Sequence, residues 1–429
     1  MKIGKIDFNN KRGVLLKNTI MLYILQFSTY ILALAVAPYQ SRVLGPEVYG
    51  GVLNASVAII VYFQLIIDFG FLLSATEEVS RERANKGRLR EIFSAVTLCK
   101  IGLALVSFVG LVVLCQLIPE WKQKETVLIL TFIATFLNSL MPDYLYRGLE
   151  KMTAITIRTV LIKTFFAVAV FLFLRGPEDV WMIPALNIVG NGVALVCAYL
   201  HIVKKLDIQF AKVRVGTVFG ELKQSSVFFF SRIATTAYTA LNTVLLDIMS
   251  GSGAVTGYYT SADRLITVGK NGVSPIADSF YPYMAKNKDF KLVKKVLLIL
   301  EPIIFVFCAV VFVFAEPFCV WFFGAEYGPT GDVLRAMLPV GVVILPSYIL
   351  GFPTLTAMNL TKHANYSTVV GSCCQLIMLG VLFLTNHIKM ITLALSVSIT
   401  ETLILLYRII IVVKYRHRMR KETDDGIAE

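Results

Sequence analysis

Charged residues are scarce in this chain. Asp, Glu, Lys and Arg make up 16% of the 429 residues, whereas 56% are hydrophobic. A soluble globular domain is about a quarter charged and about half apolar. A membrane-spanning helix needs about 20 apolar residues in a row, and runs of that kind recur along the whole sequence. The composition therefore leaves no room for a separate soluble domain and predicts an all-α integral membrane protein.

Histidine is also scarce, and cysteine has no pattern. The chain has four His and seven Cys, and no two Cys have CxxC spacing. The Cys lie in or beside apolar runs, where a thiol usually acts as a small packing residue. The His lie at predicted helix ends or in loops, which disfavours a buried proton relay. We therefore expect neither a bound metal nor a cofactor.

Enzyme motifs are missing as well. Walker A, HExxH and GxSxG patterns do not occur, so nothing in the sequence supplies ATP hydrolysis or acyl chemistry. The longest predicted outer loop, about 317–330, is short and apolar. It offers little room to hold an acceptor substrate. We therefore predict that the chain is not an enzyme.

Lys and Arg are distributed unequally between alternate loops. Loops on one side carry 29 of these cations, and loops on the other side carry five. Short basic loops stay in the cytoplasm, so both termini are predicted to be cytoplasmic. The net charge of +13 then reflects topology and contact with anionic membrane lipids rather than binding of nucleic acid. The twelve predicted spans are residues 14–37, 48–73, 92–118, 125–147, 156–174, 181–202, 221–249, 254–284, 296–316, 331–357, 364–385 and 390–413.

The longest predicted cytoplasmic connection lies at the middle of the chain and divides the spans into two sets of six. Both sets enter the membrane in the same orientation, which is the parallel-repeat arrangement of some transporters. Residues 45–55 also align with residues 252–262, with Val, Gly and Ala at matching positions. We predict a six-helix lobe over 1–202, a connector over 203–220, a second six-helix lobe over 221–413 and a tail over 414–429.

The seventh predicted span carries a polar seam. Arg232, Thr236, Thr239, Thr243 and Asp247 are spaced by 4, 3, 4 and 4 residues, which places them on one helical face. A charge in the middle of a bilayer costs roughly 2.5–3.5 kcal/mol or more, so such groups usually face a cavity or a partner. The seam therefore predicts water or protein opposite this face, not lipid.

Further ionisable residues lie in other apolar spans. The eighth span carries Asp263, Arg264, Lys270 and Asp278 within an arc of roughly 120°. A cavity with surplus cations suits an anionic substrate, since Arg and Lys bind diphosphates well. The predicted substrate-binding residues are Arg232, Arg264, Lys270, Lys163 and Lys100. The candidates for coupling-ion binding or gating are Asp247, Asp263, Asp278, Asp68 and Asp143.

Some of these charges also have local explanations. Asp143 and Arg147 have i,i+4 spacing and could pair. Glu401 and Arg408 lie seven residues apart on one helix face, where we predict a buried ion pair. Lys100 lies near a span end and could reach towards the interface. The tenth span contains Pro339, Pro346 and Pro353, a cluster that predicts a bending point.

Four stretches carry a resemblance to a known family. They are RVLGPEVYG at residues 42–50, DFGFLLSAT at 68–76, PDYLYRGLEKM at 142–152 and, more weakly, FGAEY at 323–327. In these motifs, length and span count the chain resembles the polysaccharide repeat-unit flippases (Wzx-type transporters of O-antigen and capsule). Those proteins belong to the multidrug/oligosaccharidyl-lipid/polysaccharide exporter superfamily.

The resemblance implies a V-shaped bundle of two six-helix lobes around a cationic cavity in the bacterial inner membrane. It also implies that an undecaprenyl-diphosphate-linked oligosaccharide moves to the outer leaflet by alternating access. A coupling H⁺ or Na⁺ and other membrane proteins of polysaccharide assembly are implied partners.

Two other functions stay open from the sequence. A multidrug or cation antiporter of the same superfamily would favour a net acidic cavity, whereas the cations within these spans at least balance the acids. A membrane polymerase or ligase of polysaccharide assembly is less favoured because of the short outer loops.

Overall fold

The computed structural model describes residues 11–416, without the side chains of 11–17, 19, 230–232, 234–239, 282 and 285. Within that part of the chain all regular secondary structure is helical, which confirms the predicted all-α class. A helix satisfies its own backbone hydrogen bonds, which a chain in hydrocarbon must do because no water is available.

Seventeen α-helices follow one another along the described residues. Short 3₁₀ helices at Pro177–Trp181 and Ala325–Tyr327 and π-helical segments at Glu47–Asn54 and Leu350–Thr354 lie between some of them. The α-helices are α1 (Lys11–Pro46), α2 (Ala55–Asp68), α3 (Phe71–Arg81), α4 (Lys86–Leu117), α5 (Pro119–Lys122), α6 (Glu125–Ser139), α7 (Asp143–Gly148), α8 (Met152–Phe173), α9 (Met182–Lys205), α10 (Val215–Met249), α11 (Gly253–Asn287), α12 (Phe290–Val313), α13 (Ala315–Phe323), α14 (Thr330–Ile349), α15 (Leu355–Ala357), α16 (Thr361–Leu384) and α17 (Met390–Lys414).

Nine helical stretches in the described part of the chain are long and apolar enough to cross a membrane. The first, Ile20–Arg81, runs through two of the predicted spans. Helices α10 and α11, which carry the predicted polar seams, are helical over 35 residues each but fall outside the nine. The chain is therefore a multi-pass membrane protein, and the number of twelve spans stays a prediction.

The chain divides into two compact units, which are described separately below. The first unit comprises the residues up to Gly45 and Ala55–Ile233, and the second comprises Pro46–Asn54 and the residues from Ala234 onward. The division therefore falls inside α10, and a nine-residue segment from the first half of the sequence belongs to the second unit. The predicted lobe, connector and tail boundaries stay a prediction.

An apolar core of the first unit lies where α3, α4, α7 and α9 meet. Phe71, Ile92, Phe93 and Leu145 are fully buried there. Two of the family-like stretches meet beside this core. Thr76 of α3 donates a hydrogen bond to the Tyr144 carbonyl of α7 (3.3 Å). A Cβ on Gly148 would lie 2.4 Å from the Val79 side chain.

The second unit is arranged around α14, which packs against α11, α12, α13 and α17. Helix α14 contains Pro339 and Pro346 and then changes into the π-helical segment Leu350–Thr354. Gly351 in that segment has a non-helical backbone (ψ −118°). Proline removes a backbone donor and clashes with the preceding turn. The break thus lies where the proline cluster predicts a bend, and movement about it stays a prediction.

Helix α12 presents an apolar surface on most of its circumference. Leu298, Ile303, Phe305 and Phe307 each have more than half of their surface exposed. Large apolar side chains exposed in such numbers are typical of a helix that contacts lipid acyl chains, because no hydrophobic cost opposes their exposure there.

Candidate functional site

The first family-like stretch is bound to the start of α11 in the second unit. Glu47 accepts hydrogen bonds from the backbone N–H groups of Gly253 (2.9 Å) and Ala254 (2.8 Å) and from the Ser252 hydroxyl (3.3 Å). The first N–H groups of a helix lack intrahelical partners and attract negative charge. The carboxylate of Glu47 therefore caps α11 from a segment some 200 residues earlier in the chain.

Arg264, a predicted substrate-binding residue, is held by the same segment. Its guanidinium donates to the hydroxyl of Tyr49, a fully buried residue of the π-helical segment. Asn54 donates to Thr260 one turn away (3.0 Å). These contacts explain why a long basic side chain is tolerated in α11. They also fix the orientation of its guanidinium.

Lys270 and Glu401 form a largely buried ion pair between α11 and α17. The Lys270 ammonium lies 2.6 Å from a Glu401 carboxylate oxygen, with the side chains 23% and 15% exposed. Asp263, two turns earlier on α11, also interacts electrostatically with the Lys270 ammonium. The structure therefore brings together two predicted candidates, Lys270 and Asp263, with Glu401 as an acidic partner. The predicted Glu401–Arg408 pair is wrong, because the ion pair of Glu401 is with Lys270.

Arg408 is instead bound by neutral groups. Its guanidinium donates to the Ser367 hydroxyl (2.9 Å) and to the carbonyl (2.6 Å) and hydroxyl of Ser347. Arg408 is only 7% exposed. A Cβ on Gly351 would lie 2.8 Å from its Nη1, so the absence of a side chain at the π-helical segment makes room for the cation.

Arg408 also lines a cavity of about 480 Å³ in the second unit. The predicted gating residue Asp278 lies at the same cavity and accepts a hydrogen bond from Ser274 (3.3 Å). The cavity thus combines a cation, a carboxylate and aromatic rings, which is a suitable lining for a polar solute with apolar parts. The other lining residues are Ala277, Tyr281, Tyr348, Phe352, Pro353 and Thr368.

Helix α10 also contributes to a buried hydrogen-bond network in the second unit. Asn242 donates to the Tyr259 hydroxyl (3.0 Å), and Gln375 donates to Asn242 (3.3 Å). Thr243 and Asp247 of the predicted seam are buried, at 7% and 9% exposure. The side chains of Arg232, Thr236 and Thr239 lie outside the described residues.

In the first unit, Lys100 is buried in α4 and occupies the break between α6 and α7. Its ammonium donates to the Ser139 carbonyl at the C-terminal end of α6 and lies 5.7 Å from the centre of the Tyr144 ring. The carboxylates of Asp68 and Asp143 interact electrostatically with the Lys100 ammonium. The structure thus brings together Lys100, Asp68 and Asp143. It also gives Lys100 a local role, because a cation stabilises the carbonyl end of a helix.

The remaining predicted residues of the first unit have different environments. Asp143 accepts a hydrogen bond from Arg158 of α8 (2.6 Å), so the predicted Asp143–Arg147 pair is wrong. Lys163, also on α8, is half-buried. Within the described residues it has no hydrogen-bond or ion-pair partner. Lys163 is therefore an unsatisfied cation inside an apolar helix.

The connector between α9 and α10 is attached to the start of α4. Lys86 donates to the Asp207 carboxylate (2.9 Å), and Arg90 donates to the Asp207 carbonyl (3.1 Å). The Ser94 hydroxyl accepts from the Ala211 N–H (2.8 Å). The hydrogen bond and charge of Lys86 lower the pKa of the Asp207 carboxyl.

Sequence reasoning missed several partners of these charges. It did not assign roles to Glu47, Tyr49 or Ser347, and it placed Glu401 with the wrong cation. Tyr49 stands inside a motif and could have been chosen on that ground. The pairing of Glu401 depends on the packing of α11 against α17, which no local spacing predicts.

Within the described residues, no group of three or more His, Cys, Asp or Glu could hold a metal ion.

Comparison with known proteins places the chain in a family. Residues 15–288 match the family described as "Polysaccharide biosynthesis protein". The chain belongs to the polysaccharide biosynthesis protein family. One relative is a protein of Escherichia coli K12 named "Putative O-antigen transporter". It is 26% identical over 403 residues, which are 92% of this chain and 96% of the relative. A protein of the same name from Shigella dysenteriae is 25% identical, and the alignment covers 91% of this chain and 98% of that relative.

Solved structures give the fold of this polysaccharide biosynthesis family member. It is similar to the lipid II flippase MurJ in an inward closed conformation (TM-score 0.70, 14% identity, 94% of this chain and 90% of the other). It is also similar to an inward-facing multidrug resistance MATE transporter of the MOP superfamily (TM-score 0.66, 14% identity, 95% and 99%). The MATE-like fold and the polysaccharide family that the resemblance implied are confirmed.

Proposed function

We propose that this chain is a flippase that moves undecaprenyl-diphosphate-linked oligosaccharide repeat units from the cytoplasmic to the outer leaflet of the bacterial inner membrane. It would do so by alternating access, with twelve spans in two six-helix lobes and both termini in the cytoplasm. Binding of H⁺ or Na⁺, or the membrane potential, would drive the movement. Other membrane proteins of polysaccharide assembly would supply and accept the substrate.

The observation that carries this proposal is the set of basic side chains inside the helices of both units. Lys163 is half-buried in the first unit, without a partner in the described part of the chain. In the second unit Arg408, which is bound by neutral groups, lines the 480 Å³ cavity. Each costs free energy in an apolar surrounding, and an anionic diphosphate would offset that cost by ionic hydrogen bonds.

The relatives support the same substrate class. Two relatives named as O-antigen transporters align with more than nine-tenths of the chain, and a lipid flippase shares the fold. A lipid-linked saccharide joins a diphosphate to polar sugars and an apolar tail. The cavity at Arg408, with its Asp278 carboxylate and tyrosine rings, has groups that could contact the first two of these parts.

A multidrug or cation antiporter is the second candidate, because a multidrug resistance transporter also shares the fold. A cationic drug would need an acidic site without a bound cation. In this chain Glu401 is already paired with Lys270 and Asp143 with Arg158, and Asp278 shares its cavity with the Arg408 cation. The pairing of these acids favours the flippase.

A deletion strain tests the proposal. We expect lipid-linked repeat units to accumulate on the cytoplasmic face and the surface polymer to be lost, with both restored by the intact gene. Normal polymer and normal lipid-linked pools in the deletion strain would contradict the proposal. Drug sensitivity with unchanged polymer would instead support the antiporter.

A further inference from the structure

In the first unit, α3 and the start of α10 pack in an antiparallel register with steps of four residues. Gly70, at the start of α3, has a left-handed backbone (φ +81°), and a Cβ there would lie 3.0 Å from the Phe229 backbone nitrogen. One turn on, the hydroxyls of Ser74 and Ser225 are 2.6 Å apart. One further turn places Glu78 beside Glu221.

The two carboxyl groups at this third position are buried together. Glu221 is 3% exposed and the Glu78 side chain is 13% exposed, and an oxygen of each carboxyl group lies within 4 Å of the same Arg88 nitrogen, Nη2. The Oε2 atom of each is buried and has no hydrogen-bond partner in the described part of the chain. Ionised carboxylates only accept hydrogen bonds, so the two oxygens cannot satisfy each other unless a proton lies between them.

Arg88 of α4 is the cation at this site, and three carboxyl groups share its positive charge. Its guanidinium lies 2.5 Å from Glu78, 3.9 Å from Glu221 and 2.9 Å from Glu91. Three carboxylates around one guanidinium would leave an excess of two negative charges, and burial opposes such an excess. The other titratable groups whose charges interact with Glu221 are the Cys99 thiol and the Tyr144 hydroxyl, and both are neutral in their ordinary protonated forms.

We propose that Glu78 and Glu221 form a proton-binding site that holds one proton between the two carboxyl groups, with Arg88 beside the one negative charge that this pair retains. The proton comes from water at the edge of Arg88, which is 33% exposed. Release of the proton sets two ionised carboxylates against each other on α3 and α10 and weakens the contact between these helices. The role of the site in coupling rests on the proposed transport function, whereas proton binding itself does not.

Infrared spectroscopy of the purified full-length protein tests proton binding directly. We expect a carbonyl band of a protonated, buried carboxylic acid that disappears as the pH is raised. Glu221→Gln and Glu78→Gln should each remove this band, because the glutamine amide donates the hydrogen bond that the proton supplied. Glu77→Gln is the matched control, since Glu77 lies on the same helix but is 50% exposed and pairs with Arg81, and it should retain the band.

A second measurement needs only the wild-type chain and so does not depend on folding of the variants. An apolar carbodiimide adds to protonated carboxylic acids in apolar surroundings, and mass spectrometry locates the modified residue. We expect modification at Glu78 or Glu221 that falls as the pH rises, and none at Glu77. A band that persists in both glutamine variants, or absence of modification at both residues, would overturn the proton site.

The role in coupling has its own test. In vesicles that contain the chain, the rate of lipid-linked saccharide movement should depend on pH in the wild type, and Glu221→Gln should flatten that dependence at least several-fold. The same pH dependence in Glu221→Gln and wild type would overturn the coupling role. A chain that moves no saccharide would overturn the proposed function, while the infrared result would still decide the proton site.

Discussion

Gly50 and Gly257 cross at backbone contact in the second unit: a Cβ on Gly50 would lie 2.0 Å from the Gly257 Cα. These glycines occupy matching positions in the two stretches that align as an internal repeat. The π-helical segment Glu47–Asn54 therefore packs directly on the stretch it resembles. Any side chain at this crossing must push two backbones apart.

Alanine at this crossing should destabilise the protein. Overpacking costs about 1–3 kcal/mol where neighbours can yield, and here the neighbour is backbone, so we expect Gly257→Ala to lie at or above that range. Gly269→Ala on the same helix is the control, because a Cβ at Gly269 meets nothing within 4 Å. It should be neutral or stabilise by up to about 1 kcal/mol. Thermal unfolding in detergent measures both, and equal stability of the two variants would refute the close crossing.

The Lys270–Glu401 pair should respond differently to single and double substitution. Lys270→Gln or Glu401→Gln leaves a buried charge without its partner, which costs about 3–5 kcal/mol. The double variant removes both charges and should recover most of that stability. If Lys270 also binds substrate, transport should remain low in the double variant although stability returns. Recovery of both stability and transport in the double variant would assign Lys270 a structural role alone. Lys294→Gln, at an exposed position, is the control.

Replacing Lys163 should affect transport more than stability. Because Lys163 is half-buried and without a partner in the described part of the chain, Lys163→Gln removes an unfavourable charge and should leave the free energy of unfolding unchanged or higher. Transport of an anionic substrate should fall about tenfold, which corresponds to 1.4 kcal/mol. Vesicle transport and thermal unfolding are measured on the same preparation. Full transport activity in Lys163→Gln would remove this residue from the substrate path.

The attachment of the connector should be lost only in acid. The pKa of Asp207 is lowered below its usual 3.8 by Lys86. Such a group stabilises the attached state above its unfolded pKa, and the effect is lost as the pH falls through the lowered folded pKa. Hydrogen exchange at the Ala211 N–H should therefore stay slow at mildly acidic pH. In Lys86→Gln the protection should be lost at a higher pH than in wild type, and identical profiles would contradict the attachment.

The membrane class and the helical segments followed from composition and apolar length alone, because a chain in hydrocarbon has few ways to satisfy its backbone. The break that follows α14, near Gly351, was also predictable from the prolines. The motif at residues 42–50 indicated the family, but its contacts with α11 depend on a distant stretch. Local spacing failed for Glu401 and Asp143. A same-helix neighbour is only one possible partner, and Lys270 and Arg158 on other helices were closer.

The central claim is that this chain moves lipid-linked saccharide across a bilayer. The most direct measurement uses vesicles that contain the purified chain and an undecaprenyl-diphosphate-linked oligosaccharide, with an added reagent that oxidises sugars and cannot cross the membrane. We predict that saccharide on the inner leaflet becomes accessible to the reagent in vesicles with the chain, under an imposed ion gradient or potential, and stays protected in vesicles without it. Continued protection in the presence of folded chain under every gradient would contradict the account.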